Sequence, residues 1–345
     1  MTDIITTIAP GFERTESFAN IANEYAAIRH GAAVIDRSAR LRMLFAGATA
    51  GEALTGLVTN DVLALKPGAG QFAAALTAKG KIIADVRIFS RNDGYLVDVS
   101  PAAGPGFAQM IRKFVNPRLA QYVDVSLILR TVGVLGPRAA TSVANVTGVS
   151  IDALHALAPY AHLRCTFEGA SLDIARSDDF AVDSFDCFVP VEHAAALWAR
   201  LVATGAVAAG SAAAEIVRVE SGRPLWGLDM DENTLAQEAN FDELAGISYT
   251  KGCYTGQETV ARVHFRGHVN RHLRGLSGEA LLVPRAELFG DDGQPCGEVR
   301  SVTDSPSFGS IAIAMVRREI ADGARVTARC DGGEATATVV ALPFR

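Results

Sequence analysis

Helical periodicity runs through most of this 345-residue chain and nearly vanishes after about residue 275. Beyond that point come short β-like runs punctuated by Gly, Pro and Asp: FGDDGQPCGEVRSV, GSIAIAMV and ARVTARCDGGEATATVV. Strands at this spacing, with turn signals between them, predict a small β-barrel. The boundary is expected near residues 270–276, giving a region over 1–272 and a barrel over 275–345. Upstream, helix-like and strand-like segments alternate without a regular βαβ repeat, which predicts an α+β arrangement. The length leaves room for about two or three domains.

Local signals place the elements. The spacing of Ile21, Tyr25 and Ile28 predicts a helix over 20–30, and LRMLFAG reads as a strand. Asp93-Gly94 between GKIIADVRIFS and YLVDVS signals a hairpin. Helices are expected in GFAQMIRKFV, in PRAATSVANV with its first-turn proline, in VEHAAALWARLVATG and over 212–219. YVDVSLILR reads as one strand, and LRCTFEG, SLDIAR and FAVDSFDCFVP as three more.

Charge and cysteine usage exclude several classes. A net charge of −6 gives no overall attraction to nucleic acid, and 7% aromatic residues make a poor stacking platform for single strands. With 49% hydrophobic and 20% charged residues, the composition is that of a folded chain. Cys165, Cys187, Cys253, Cys296 and Cys330 are odd in number and form no C-x-x-C pair, which argues against a disulfide framework or a zinc ribbon. Residues 1–16 carry neither a basic nor an apolar signal region, and the longest apolar stretch, ATGAVAAGSAAAEIV, is too short to span a bilayer. A cytoplasmic protein with no membrane partner is expected.

The segment 251–274, KGCYTGQETVARVHFRGHVNRHLR, is the most distinctive. It holds five Lys/Arg and one acid, so it carries +4 and leaves −10 for the rest. A basic island in an acidic chain suggests a local anion site; a solvated basic face is the plainer alternative. Thr255-Gly256-Gln257-Glu258 fits the capping box, predicting a helix that starts just after Thr255. Cys253 would then sit by a helix N-terminus with Lys251 close by, and both favour a thiolate. A small buried hydrophobe is the alternative for Cys253, and the expected state of the other four cysteines. His264, His268 and His272 recur every four residues, but Gly267 interrupts the helix pattern and no nearby carboxylate would orient them, so no metal site is expected. Gly68-Ala69-Gly70-Gln71-Phe72-Ala73 fits a dinucleotide fingerprint without its strand-to-helix setting. The aspartates from Asp173 to Asp186 lack calcium-loop spacing.

The block Lys251-Gly252-Cys253-Tyr254-Thr255-Gly256-Gln257-Glu258 resembles the signature of the folate-binding YgfZ family, whose members support iron–sulfur cluster assembly or repair. Asn60-Asp61-Val62, the strand from Gly80 to Asp85, Leu135-Gly136-Pro137, Arg218-Val219-Glu220-Ser221-Gly222 and Gly227-Leu228-Asp229 resemble the wider aminomethyltransferase (glycine-cleavage T-protein) superfamily. The resemblance implies ferredoxin-like folate-binding α+β units around a central hole, closed by the C-terminal barrel. It implies a tetrahydrofolate cofactor, or a one-carbon derivative, with contacts from Asp186, Phe72, Trp226, Gln257 and Arg262. Asp186, in Ser184-Phe185-Asp186-Cys187-Phe188, matches the carboxylate that holds the pterin's amino-pyrimidine edge through two parallel hydrogen bonds. Cys253 and Lys251 would carry any chemistry, and iron–sulfur proteins would be partners.

Two departures qualify the transferase side. The run 99–107, VSPAAGPGF, has no acid where that branch has an aspartate, and Ala214 stands where it has an arginine. Glycine cleavage is therefore not expected. The leading expectation is a folate-binding accessory protein of iron–sulfur metabolism. A one-carbon transferase with another substrate, and a scaffold with an inert Cys253, are the alternatives.

Overall fold

The computed structural model describes residues 15–345. The reading of residues 1–16 therefore falls, but for its last two, outside the described residues. By contact, the described chain divides into two compact units. One comprises the residues up to Thr55 with Asp61–Phe72 and Val86–Val217; the other comprises Gly56–Asn60, Ala73–Asp85 and Arg218–Arg345.

The first unit opens with α1 (Ile21–His30), capped by the Asn20 side chain, which accepts from the Asn23 N–H. A six-stranded sheet follows the order β11-β1-β7-β10-β9-β8. Its strands are β1 (Ala33–Asp36), β7 (Leu129–Leu135), β8 (His162–Phe167), β9 (Ala170–Arg176), β10 (Ser184–Pro190) and β11 (Val207–Ala208). All of its pairs are antiparallel except β1 with β11. Helices α4 (Ala139–Thr147) and α6 (Val191–Ala203) cover one face, where Phe185, Cys187 and Val189 of β10 meet Val143, Leu197 and Leu201. Alternation along a strand sends Asp186 and Phe188 to the other face. β10 is buried on both sides, which is why a carboxylate on it loses its water.

A five-stranded sheet has the order β3-β4-β5-β2-β6, with β2 (Leu41–Ala46), β3 (Gly70–Leu76), β4 (Ile82–Arg91), β5 (Gly94–Val99) and β6 (Gln121–Asp124). The β4–β5 hairpin turns where Asp93-Gly94 predicts, with Gly94 at φ 134°. YVDVSLILR is not one strand. Asp124 accepts from the Ser126 N–H and hydroxyl at 2.8 and 2.6 Å, and that turn separates β6 from β7. Helices α2 (Ala50–Thr55), α3 (Gly104–Phe114), α5 (Ile151–His155) and α7 (Ser211–Glu220) complete the elements before residue 250.

In the second unit, α8 (Gln257–Arg266) precedes a closed six-stranded barrel, the small C-terminal β-barrel expected. Its strands run β12-β15-β14-β13-β16-β17: β12 (Arg271–Gly278), β13 (Glu287–Phe289), β14 (Pro295–Ser305), β15 (Gly309–Arg317), β16 (Arg325–Cys330) and β17 (Gly333–Val340). Closure removes free edges, and Leu276, Leu288, Val299, Ala314, Val326 and Val339 fill the interior. Among the described residues no helix is long and apolar enough to cross a membrane.

Candidate functional site

The first unit holds a buried network of opposite charges. Register explains it. Arg42 on β2, Asp98 on β5 and Arg87 on β4 are direct cross-strand partners, so a plus–minus–plus row lies on one face of the five-stranded sheet. In the six-stranded sheet the row is Ile35 on β1, Gly133 on β7 and Asp186 on β10. A Cβ at Gly133 would come 2.8 Å from Ile35 Cγ1, 3.2 Å from Arg37 Cδ and 3.4 Å from Asp186 Oδ1. The missing side chain makes room for the ion pair.

Arg87 is the hub. It is 1% exposed; its Nε and Nη2 donate to Asp98 Oδ1 at 3.0 and 2.7 Å, and its Nη1 to Asp186 Oδ2 at 2.5 Å and Asp179 Oδ2 at 3.1 Å. Arg37 Nη1 reaches both Asp186 oxygens, at 3.2 and 3.0 Å, and its Nη2 pairs with Asp179. Arg40 pairs with Asp98. Arg42, fully buried, donates to the carbonyls of Leu129, Ser38 and Ser126.

The titration behaviour follows. Burial alone would raise the Asp98 carboxyl, but Arg40, Arg87 and Arg42 outweigh it and hold it below the usual carboxylate range. Burial likewise opposes Asp179, and Arg87 and Arg37 hold it well below that range. Asp36 goes the other way: burial pushes its carboxyl up to about 6, against the hydrogen bonds from Ser38.

An ionised carboxylate has about four lone-pair positions. Asp186 accepts two contacts from Arg37 and one from Arg87, so about one position is open to a further donor. Taking two parallel hydrogen bonds from an amino-pyrimidine edge would require the two-oxygen contact from Arg37 to shift. The geometry thus fits a ligand donor at Asp186, in competition with Arg37. Phe72, also in this unit, is buried and stacks on Tyr160 with ring centroids 6.2 Å apart.

The second unit holds the other residues singled out in the sequence. Cys253 is exposed. Lys251 is buried; its Nζ donates to the Val58 carbonyl at 2.6 Å and lies 4.5 Å from the Tyr254 ring centroid. The capping box does not form. The helix starts at Gln257 behind Gly256, which is at φ 84° and supplies no side-chain cap, while the Thr255 N–H donates to the Gly56 carbonyl at 3.0 Å. The reason is close packing that local sequence does not record. A Cβ at Gly256 would lie 2.6 Å from the Thr77 carbonyl oxygen, and one at Gly80 would lie 2.7 Å from Thr259 Cβ. Cys253 is accordingly three residues before the N-cap and not two.

Gln257 is half-buried and Arg262 exposed. Trp226 is half-buried, and its Nε1 is buried with no hydrogen-bond partner among the described residues. The three histidines do not share a helix face: His264 stacks on Tyr249 at 3.6 Å, His268 follows the end of α8, and His272 is on β12. Among the described residues no cluster of three His, Cys, Asp or Glu is placed to hold a metal. Sequence reasoning missed Arg37, Arg87 and Asp98. An arginine or aspartate flanked by buried apolar residues in ADVRIFS and YLVDVS was the available signal.

Comparison with known proteins adds the lineage. Residues 5–247 match the family model described as the GCVT N-terminal domain, and residues 271–345 the glycine cleavage T-protein C-terminal barrel domain. The chain belongs to the glycine-cleavage T-protein family. Curated family members include an aminomethyltransferase of Nostoc sp., 27% identical over 97% of this chain and 90% of that protein. Another, from Cupriavidus pinatubonensis, is 30% identical over 97% of this chain and 92% of that protein. The crystal structure of glycine cleavage system aminomethyltransferase T from Bartonella henselae superposes with a TM-score of 0.85 at 21% identity, over 94% of this chain and 90% of that one, which shows a shared fold.

Proposed function

We propose that this T-protein family member binds tetrahydrofolate, or a one-carbon derivative of it, and transfers a one-carbon unit between the folate and a substrate other than the glycine-cleavage amine. The observation that carries the reading is Asp186: a carboxylate 1% exposed, fixed by Arg37 and Arg87, with acceptor capacity left for a ligand. Its two arginines orient it, and a pterin donor would take the acceptor position they leave open, a second parallel hydrogen bond displacing the two-oxygen contact from Arg37. When bound, tetrahydrofolate supplies the nitrogen that carries the one-carbon unit. The chain's own residues bind and orient it. The acid-free run 99–107 argues against handling the glycine-cleavage amine, because no carboxylate there can stabilise a cationic amine or move its proton.

Calorimetric titration with tetrahydrofolate should show about one equivalent bound, and Asp186→Asn should weaken it at least tenfold, about 1.4 kcal/mol. No heat at millimolar folate sinks the reading. Incubation with 5,10-methylene-tetrahydrofolate, ammonia and a lipoylated carrier should give no turnover, whereas unsubstituted tetrahydrofolate with a methylated donor should, giving 5-methyl-tetrahydrofolate and the demethylated donor.

A second reading, accessory function in iron–sulfur cluster assembly or repair, has its own support. Cys253 is exposed within the block 251–258 that resembles the YgfZ signature. It requires that Cys253→Ala fail to restore iron–sulfur enzyme activity in a deletion strain. Restoration would leave only the transferase reading.

A further inference from the structure

A second polar constellation in the first unit shares no residue with the Asp186 network. A cavity of about 200 Å³ is bordered by Gly68, Arg91, Asn92, His162, Arg164 and Asp173. It is partly open to solvent and has room for one small head group.

His162, the first residue of β8, is 8% exposed, and its Nδ1 is buried without a hydrogen-bond partner among the described residues. Its ring meets Phe89 edge-on at 5.9 Å, an apolar contact that offers Nδ1 no partner. Buried polar atoms are nearly always paired, so an unpartnered imidazole bordering a cavity points to a ligand.

The unpartnered donors say which ligand. Asp173 is held by Arg164 in a two-pronged pair, at 2.6 and 3.0 Å. Arg91 Nε lies 3.7 Å from Asp173 Oδ2 and 3.2 Å from Asp93 Oδ1, yet is buried with no hydrogen bond. The Asp93 side chain is 63% exposed, where water screens it. Arg164, its side chain 39% exposed, is committed to Asp173, so the sheltered donors left without an acceptor are Arg91 Nε and the His162 ring. Burial lowers the His162 imidazole, Asp173 opposes this, and Arg91 and Arg164 add to the lowering. The ring is neutral at pH 7 and offers one N–H.

From these groups we infer that the cavity is a binding site for a small oxyanion, a single carboxylate or phosphate group, received by Arg91 and His162. A guanidinium matches both planar and tetrahedral oxyanions, and the imidazole N–H supplies a second direction. The bound oxyanion gives the unpartnered donors their acceptor.

The test uses the full chain with ¹⁵N-labelled histidine, titrated with inorganic phosphate and, separately, acetate, against chloride at equal ionic strength. The His162 signal is assigned by its absence from His162→Phe, or from His162→Gln if that variant folds better. A saturable shift of that signal with phosphate alone identifies a phosphate site, and with acetate alone a carboxylate site. Arg91→Gln should weaken the titration at least tenfold. The inference is overturned if neither anion moves the His162 signal at 20 mM, if chloride moves it equally, or if folded Arg91→Gln titrates like the parent. Should Arg91→Gln not fold, the anion-over-chloride comparison on the parent decides alone. None of these outcomes depends on folate binding.

Discussion

Replacing Arg87 with Met tests whether the buried network holds the first unit together. Methionine keeps the apolar stem and removes the guanidinium, so four contacts go at once: two to Asp98, one to Asp186 and one to Asp179. Breaking a buried ion pair costs about 3–5 kcal/mol when it strands a charge. Here none of the three carboxylates is fully stranded, because Asp98 keeps Arg40 while Asp186 and Asp179 keep Arg37. The expected loss is thus at the lower end, about 3 kcal/mol. At about 2–4 °C per kcal/mol for a domain of 150–250 residues, the melting temperature should fall by about 6–12 °C.

The chain has two tryptophans, and Trp198 lies in the first unit while Trp226 lies in the second. Urea unfolding followed by fluorescence in a Trp226→Phe background therefore reports on the unit that contains the network. Acid dependence gives a second readout. Asp98 and Asp179 titrate below their unfolded values, so their stabilisation is full above about pH 4 and is lost as pH falls through the folded values. Removing Arg87 raises both toward normal, and stability should then fall less steeply between pH 4 and 2. A loss under 1 kcal/mol, or an unchanged acid slope, would refute the argument that Arg87 is the hub.

Gly133→Ala should disturb the same network from the facing sheet, since its Cβ would press on Ile35 and Arg37; a loss of about 1–3 kcal/mol in urea unfolding is expected, and a neutral result would show that the row has slack. Asp36 titrates at about 6 in the folded chain against about 3.9 unfolded, so stability falls as pH rises from 4 to 6. Asp36→Asn cannot ionise and keeps an oxygen for the Ser38 N–H, so it should match the parent at pH 4 and exceed it by about 2–3 kcal/mol at pH 7; equal stability at both pH values would contradict the shift. Gly256→Ala should cost about 1–3 kcal/mol or more in thermal unfolding, from its φ of 84° and the approach to Thr77. In the native protein a thiol reagent should modify Cys253 and Cys330 first and leave Cys187 and Cys296 until unfolding, as mapped by peptide mass; early labelling of Cys187 would contradict its burial between the sheet and its helices.

What the sequence disclosed was local in origin. Asp93-Gly94 sets the β4–β5 turn by its own backbone preference, and the 3.6-residue spacing of Tyr25 and Ile28 follows from one helix facing one sheet. The errors arose where a local pattern competed with a distant contact. Thr255 and Glu258 have capping-box spacing, but the close approach of residues 77–80 requires Gly256 in the left-handed region, and Thr255 turns to Gly56. The turn between β6 and β7 was missed for a different reason: its signal, Asp124 two residues before Ser126, is local but interrupts an alternation that otherwise continues. Asp186 was found through family resemblance, and nothing in SFDCFVP alone says that it is paired. Its partners Arg37 and Arg87 are 149 and 99 residues away, and an arginine on an amphipathic strand ordinarily points to water. Burial of those charges is decided only when the second face of β10 meets the row on β4 and β5. A carboxylate and its guanidiniums then have to be matched as a set, because one member left alone in that layer would destabilise the fold it belongs to.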